Sequence, residues 1–227
     1  MTNTKQFECF IFDFDGTLAR SEPAYREAFL HSIRLHTGLE VNEDEFRDFW
    51  NVTPQEVLSR YSVEMLEEML VSFEEHYYAN HHHHLTPYEG IAELLEELNN
   101  RGAGIAVVSL KPRRAGELEI DFTGLRPLID VSVWGDDVEK PKPEPDGVLR
   151  AMDGLGADPR ATLVIGDSPA DIMMGRAAGT RTAAALWGGS SRDRLMAELP
   201  DLTLKAPVDL LETAKSLTTA KLRKSKW

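Results

Sequence analysis

From Glu89 onward, short apolar runs alternate with stretches of helical pattern, and no other feature of the sequence limits the fold as much. The helical stretches are Glu89 to Arg101, Pro112 to Leu118, Pro145 to Leu155, Ala170 to Ala178 and a last one starting at Pro207. Between them stand Gly104 to Ser109, Val131 to Trp134, Ala161 to Ile165, Arg181 to Leu186 and Leu202 to Leu204, all strand-like. Ahead of them, FECFIFDF at Phe7 to Phe14 reads as a first buried strand that ends in an Asp15-Gly16 turn. Strands alternating with helices of this length imply a parallel sheet covered on both faces, with ligands bound beyond the carboxyl ends of the strands.

The region between the first strand and that alternation has a different character. From Glu22 to about Tyr78 the pattern is helical, Gly38 is the sole glycine, and Pro23 and Pro54 stand where helices can begin. Met65, Met69 and Phe73 recur at four-residue steps with Leu66, Leu70 and Tyr77 beside them, which is the spacing of a buried helix face rather than of a ligand pocket. The insertion leaves and re-enters the sheet at its carboxyl edge, so it is positioned as a lid. His81 to His84 invite a metal reading, but four adjacent side chains cannot face one point, and a solvated linker is expected there.

Composition removes several function classes. Of the 227 residues, 42% are hydrophobic and 28% charged, which fits neither a disordered tail nor a membrane protein. No apolar run approaches the roughly 20 residues of a membrane span, and MTNTKQFECF lacks the layout of a signal peptide, so a soluble, cytoplasmic protein is expected. The single cysteine, Cys9, excludes an internal disulfide and a zinc site built on several thiolates. A net charge of -13, from 38 acidic and 25 basic residues, opposes a nucleic-acid partner. Anionic substrates remain open, because a metal ion and a few local cations invert the sign inside a site. The basic tail Lys221, Arg223, Lys224 and Lys226 reads as a solvated end.

Polar groups follow four separate strand runs: Asp13 and Asp15, Ser109, Lys140 or Lys142, and Asp167 with Asp171. In an extended segment residues i and i+2 share a side, so Asp13 and Asp15 can address one centre, while Gly16 lets the backbone approach a ligand and Thr17 adds a hydroxyl. Asp171, at the start of the next helix, is placed either to cap that helix or to join the acidic cluster. Asp13, Asp15 and Asp167 on adjacent tips offer the hard oxygen ligands that Mg2+ prefers. In KPKPEP, Lys140 and Lys142 lie between prolines, and either can project a fixed ammonium into the crevice. Ser109, with the turn at Leu110 and Lys111 after it, presents a hydroxyl and free N–H groups to an anion.

These residues resemble the haloacid dehalogenase-like hydrolase superfamily, in particular its branch of phosphoglycolate phosphatase and related small-molecule phosphatases. DFDGTL, the serine of VVS, KPEPD and GDSPADI match the branch's four motifs in order and spacing, across almost the whole chain. The resemblance implies an α/β fold: a Rossmann-like parallel sheet core with helices on both faces, from residues 1–18 and 86–227, and a small all-helical cap from residues 19–85. It implies a Mg2+-dependent phosphatase in which Asp13 is the nucleophile and Asp15 the acid and base. The metal would rest on Asp13, Asp15 and Asp167, with Asp171 in the same acidic group. Phosphate would be bound by Gly16, Thr17, Ser109, Leu110 and a lysine, for which Lys142 gives the better alignment and Lys140 is the fallback. Members that cleave carbon–halogen bonds lack the second aspartate, so Asp15 points to phosphate chemistry.

Arg20 stands where the branch usually has aspartate, and Leu110 where it commonly has asparagine. Arg20 is either a contact to a second anionic group of the substrate or a solvated hinge residue. The expected partner is a small-molecule phosphate ester, handled by a monomer or homodimer, with no nucleic acid and no membrane. An intramolecular phosphomutase or a silent binding module on the same fold are the alternatives.

Overall fold

The computed structural model describes residues 7–42 and 52–213; the basic tail at Lys221 to Lys226 lies outside them. The chain divides into two compact units, one of Met1–Ala19 with Pro87–Trp227 and one of Arg20–Thr86.

The first unit is built on six strands: β1 (Cys9–Phe12), β4 (Gly104–Val108), β5 (Val131–Val133), β6 (Thr162–Gly166), β7 (Arg181–Ala185) and β8 (Leu202–Leu204). All neighbours run parallel, in the order β5-β4-β1-β6-β7-β8. Between the strands lie α4 (Ile91–Asn100), α5 (Arg113–Phe122), α6 (Asp146–Leu155), α7 (Pro169–Ala177) and α8 (Arg192–Ala197), followed by α9 (Asp209–Thr213). Strands covered on both faces are apolar at every position, which is why CFIF and GIAVV show no alternation. Ile11, Ala106, Val108, Val133 and Val164 form one core with Val148, Ala151 and Met152 of α6 and Met174 of α7. By the period of two, Phe10, Phe12, Ile105 and Val107 take the other face, where α4 packs on β4 with Ile91, Leu94, Leu95 and Leu98 buried.

The register decides where the polar groups emerge. Phe12 lies level with Val107 of β4 and Ile165 of β6. Asp13, Ser109 and Asp167 therefore leave three adjacent strands at one edge of the sheet. The main departure from the expected boundaries is α5, which runs past Leu118 to Phe122.

The second unit holds α1 (Glu22–Thr37), α2 (Pro54–Ser59) and α3 (Leu66–Asn80). Thr53 and Glu56 close a reciprocal cap ahead of α2. Ala24, Ala28, Phe29 and Ile33 of α1 pack with Val57 and Leu58 of α2 and with Met69, Phe73 and Tyr77 of α3. The methionine and aromatic stripe is thus core, with Phe29 and Phe73 at 4.6 Å between ring centroids, but Met65 precedes α3 and is 36% exposed.

The solvated-linker expectation fails for His81. A 3₁₀ turn at His81–His83 continues α3, His81 is buried, and its Nδ1 lies 3.2 Å from the carbonyl oxygens of Tyr77 and Tyr78. Its ring stacks on Tyr77, so it finishes the helix and its core, whereas His82 to His84 are exposed as expected. The segments joining the units, β2 (Ala19–Arg20) and β3 (Thr86–Pro87), pair with each other. Among the described residues no helix is long and apolar enough to cross a membrane.

Candidate active site

Asp13 continues the line of β1. Its N–H donates to the Ile165 carbonyl at 2.9 Å, and its side chain is 10% exposed. Two residues on, Asp15 is half-buried and the chain turns, with the Gly16 N–H donating to the Ala19 carbonyl at 2.9 Å. Gly16 has φ 81°, and a Cβ there would stand 2.5 Å from Asp167 Oδ2. Glycine is needed twice over, for the left-handed backbone and for room, because Asp167 presses against this turn. On the other side of Asp167, a Cβ at Gly188 would fall 2.3 Å from the Asp167 Cβ and 2.5 Å from the Gly16 carbonyl oxygen. The Trp187 indole N–H donates to the Thr17 carbonyl at 2.9 Å, tying the two loops together.

Beyond β6, Asp167 is buried and Ser168 caps α7. The Ser168 N–H and hydroxyl donate to Asp171 Oδ2 at 3.0 and 2.6 Å. Both readings of Asp171 are therefore met: it caps the helix with one oxygen, and with the other it joins the acidic group. Asp13, Asp167 and Asp171 each bring a carboxylate oxygen within 4.8 Å of the others.

Lys142 enters this group from the loop between β5 and α6. Its Nζ donates to Asp13 Oδ1 and to Asp171 Oδ1, both at 2.6 Å, and its side chain is 4% exposed, whereas Lys140 lies at the surface. Of the two lysines left open by the sequence, only Lys142 reaches the strand tips. Burial works against its charge, but the carboxylates of Asp13 and Asp171 outweigh burial and hold the ammonium above the ordinary lysine range. Burial pushes the Asp13 carboxyl well above its usual range; Lys142 opposes that shift, and the carboxylates of Asp171, Asp167 and Asp15 add to it.

At the tip of β4, Ser109 is buried, its N–H donates to the Val133 carbonyl at 3.0 Å, and its hydroxyl accepts the Lys111 N–H at 3.1 Å. Leu110 beside it is 48% exposed. Thr17 is fully buried, and its hydroxyl has no hydrogen-bond partner among the described residues. Arg20 belongs to the helical unit, where it is exposed.

Sequence reasoning passed over Lys111 and Glu119. The Lys111 side chain is fully buried, its Nζ donates to both oxygens of Glu119 at 2.8 Å, and it stands 3.1 Å from Asp15 Oδ1. A signal was present: α5 buries Ala115, Gly116, Glu119 and Ile120, so a carboxylate occupies the apolar stripe of a helix.

The donor set around Asp13 suits a hard divalent cation. Three carboxylates meet one ammonium, every donor is oxygen, and two added positive charges bring the group to neutrality. Gly16 and Gly188, lacking side chains, let Asp167 itself sit tight between the two loops.

The comparisons agree with this geometry. Residues 10–185 match the family model of the haloacid dehalogenase-like hydrolases. A pyrophosphatase PpaX from Bacillus pumilus (strain SAFR-032) is 30% identical over 209 residues, covering 92% of this chain and 97% of the relative. Its counterpart from Bacillus cereus (strain G9842) is 32% identical over 201 residues, covering 88% and 93%. Among solved structures, a Lactobacillus plantarum protein assigned as a phosphoglycolate phosphatase superposes with TM-score 0.80 at 23% identity, over 92% of this chain and 99% of that one, and speaks for the fold alone. A family match across most of the chain, on a parallel sheet whose tips gather three aspartates and a lysine, makes this chain a member of the haloacid dehalogenase-like hydrolases and a phosphatase among them.

Proposed function

We propose that the chain is a Mg2+-dependent phosphatase of a small phosphorylated anion and works through an aspartyl-phosphate. The observation that carries the reading is the buried Asp13, bridged to Asp171 by Lys142 and grouped with Asp167 at the tip of the central strand. Asp13 is the nucleophile: its carboxylate attacks phosphorus, and the bond from phosphorus to the leaving oxygen breaks. Asp15 gives its proton to that oxygen, then takes one from the water that hydrolyses the aspartyl-phosphate. Lys142 and Ser109 hold phosphoryl oxygens, the first as an ammonium kept charged by its two acids. Asp13, Asp167 and the Asp15 main-chain carbonyl are the residues that would hold Mg2+, which when bound supplies positive charge for the phosphoryl oxygens. The helical unit, residues 19–85, is the cap domain inserted into the core of residues 1–18 and 86–227, and Arg20 contacts a second anionic group on the substrate.

Phosphoglycolate carries such a second anion, and so does pyrophosphate, the compound in the name of the Bacillus relatives. The test is phosphate release from phosphoglycolate, pyrophosphate and an aryl phosphate, with Mg2+ and after chelation. Mg2+-dependent release, faster for the two compounds that carry a second anionic group, is expected. No release from any of the three, or release indifferent to chelation, would overturn the reading.

A further inference from the structure

Lys111 is a charge buried at the sheet edge that the reaction above does not use. Its side chain is 0% exposed, and that of Glu119 1%. A carboxylate in the stripe of α5 needs a cationic partner, and Lys111 meets it with two hydrogen bonds of 2.8 Å. That pair is complete by itself, yet the same Nζ stands 3.1 Å from Asp15 Oδ1. An ammonium has three donors; two go to Glu119, and Asp15 Oδ1 lies within ion-pair distance of the same nitrogen.

The lysine is held at both ends. Its N–H donates to the Ser109 hydroxyl at 3.1 Å, and its carbonyl accepts the Gly135 N–H at 2.9 Å. Its Nζ lies 5.8 Å from the ring centroid of Phe14, the residue between the two aspartates, and that ring packs edge-on to Trp134 at 6.0 Å. A side chain so confined has one position to offer Asp15.

We propose that Lys111, anchored by Glu119, is a positioning residue: it pins Oδ1 of Asp15 so that the carboxyl cannot swing and its other oxygen faces the leaving group. The proposal rests on Asp15 being the acid of the reaction above. In the first step the bond from an Asp13 oxygen to phosphorus forms, the bond from phosphorus to the leaving oxygen breaks, and the proton of Asp15 passes to that oxygen. An alkoxide needs this proton and a dinitrophenolate does not, so in kcat/KM, which reports the step that expels the leaving group and not the later hydrolysis common to both substrates, misplacing Asp15 is felt only with the poorer leaving group.

The experiment compares kcat/KM for phosphoglycolate and for dinitrophenyl phosphate in Lys111→Met, Glu119→Gln and the double variant Lys111→Met/Glu119→Leu, in which the buried pair is removed whole. With Lys111→Met and the double variant, phosphoglycolate turnover falls about a hundredfold and dinitrophenyl phosphate less than fivefold. Glu119→Gln, which keeps the ammonium but loosens its anchor, shows a smaller loss of the same selectivity and carries the test if the lysine variants do not fold. Equal losses on both substrates, or a folded double variant with wild-type phosphoglycolate turnover, overturn the role of Lys111 and leave the reaction standing. Turnover of dinitrophenyl phosphate surviving in Asp13→Asn overturns the reaction itself, and the proposal with it.

Discussion

Two buried lysines meet the two aspartates that follow β1, and they do so in opposite electrostatic settings. Lys142 joins Asp13 to Asp171 beside Asp167, so one ammonium faces three carboxylates. Lys111 joins Asp15 to Glu119, and Glu119 alone already balances it with two hydrogen bonds. The first group carries surplus negative charge, which a bound divalent cation would balance. In the second the Lys111–Glu119 pair is balanced by itself and only the Asp15 carboxylate is left over, half the surplus of the first group, so that pair serves geometry. Burying charge is costly in both places, but the first group is the one in which a bound cation would relieve the cost.

The sharpest cut through this comparison is Asp13→Asn, which removes the reacting oxygen and keeps the shape of the strand tip. Turnover is lost and circular dichroism is unchanged, while thermal stability of the metal-free protein holds or rises because a carboxylate has left an acidic group. Retained hydrolysis above a few per cent of wild type would break the first half of the comparison.

Chelation comes next. Removing divalent metal abolishes phosphate release, Mg2+ restores it, and Ca2+, with its looser and higher coordination, supports it poorly. The same treatment leaves the Lys111 group untouched, so a thermal shift with added Mg2+ in wild type that disappears in Asp167→Asn assigns the ion to the first group.

Lys142→Ala should lower kcat/KM by about a hundredfold or more and cost roughly 3–5 kcal/mol of stability, since two buried carboxylates lose their cation. Lys140→Ala, at the surface, serves as the control and stays within about twofold of wild type, surface changes being worth at most about 0.5 kcal/mol. Equal responses at the two positions would remove Lys142 from the site.

The smallest effect belongs to Arg20, outside both groups. Arg20→Ala raises KM for phosphoglycolate by about tenfold, the loss of one charged hydrogen bond being about 1.5 kcal/mol, and changes aryl phosphate hydrolysis little. Parallel changes on both substrates would assign Arg20 to the hinge rather than to the substrate.

Much of this was legible in the order of residues, for physical reasons that particular positions make plain. A strand buried on both faces has to be apolar along its length, so the first polar residue after CFIF, GIAVV or TLVIG marks the strand's end, and parallel neighbours put those ends together. Asp13, Asp15, Ser109 and Asp167 were found in this way. Pairing, by contrast, depends on which helix face turns inward and how far a loop reaches. The sequence allowed Lys140 or Lys142, and allowed Asp171 as cap or cluster member; packing chose Lys142 and gave Asp171 both parts. His81 looked like its three neighbours, and only the end of α3 against Tyr77 buried it. The acid at Glu119 was visible as a break in an apolar stripe, but its lysine, eight residues earlier in the loop after β4, became its partner only where that loop turns the Lys111 side chain onto the inner face of α5. What the residue order determined alone was the set of strand ends, because burial dictates composition locally. What the tertiary structure decided was which charges meet there, because a charge's partner is set by distance in space, and a few ångströms separate a buried bridge from a solvated side chain.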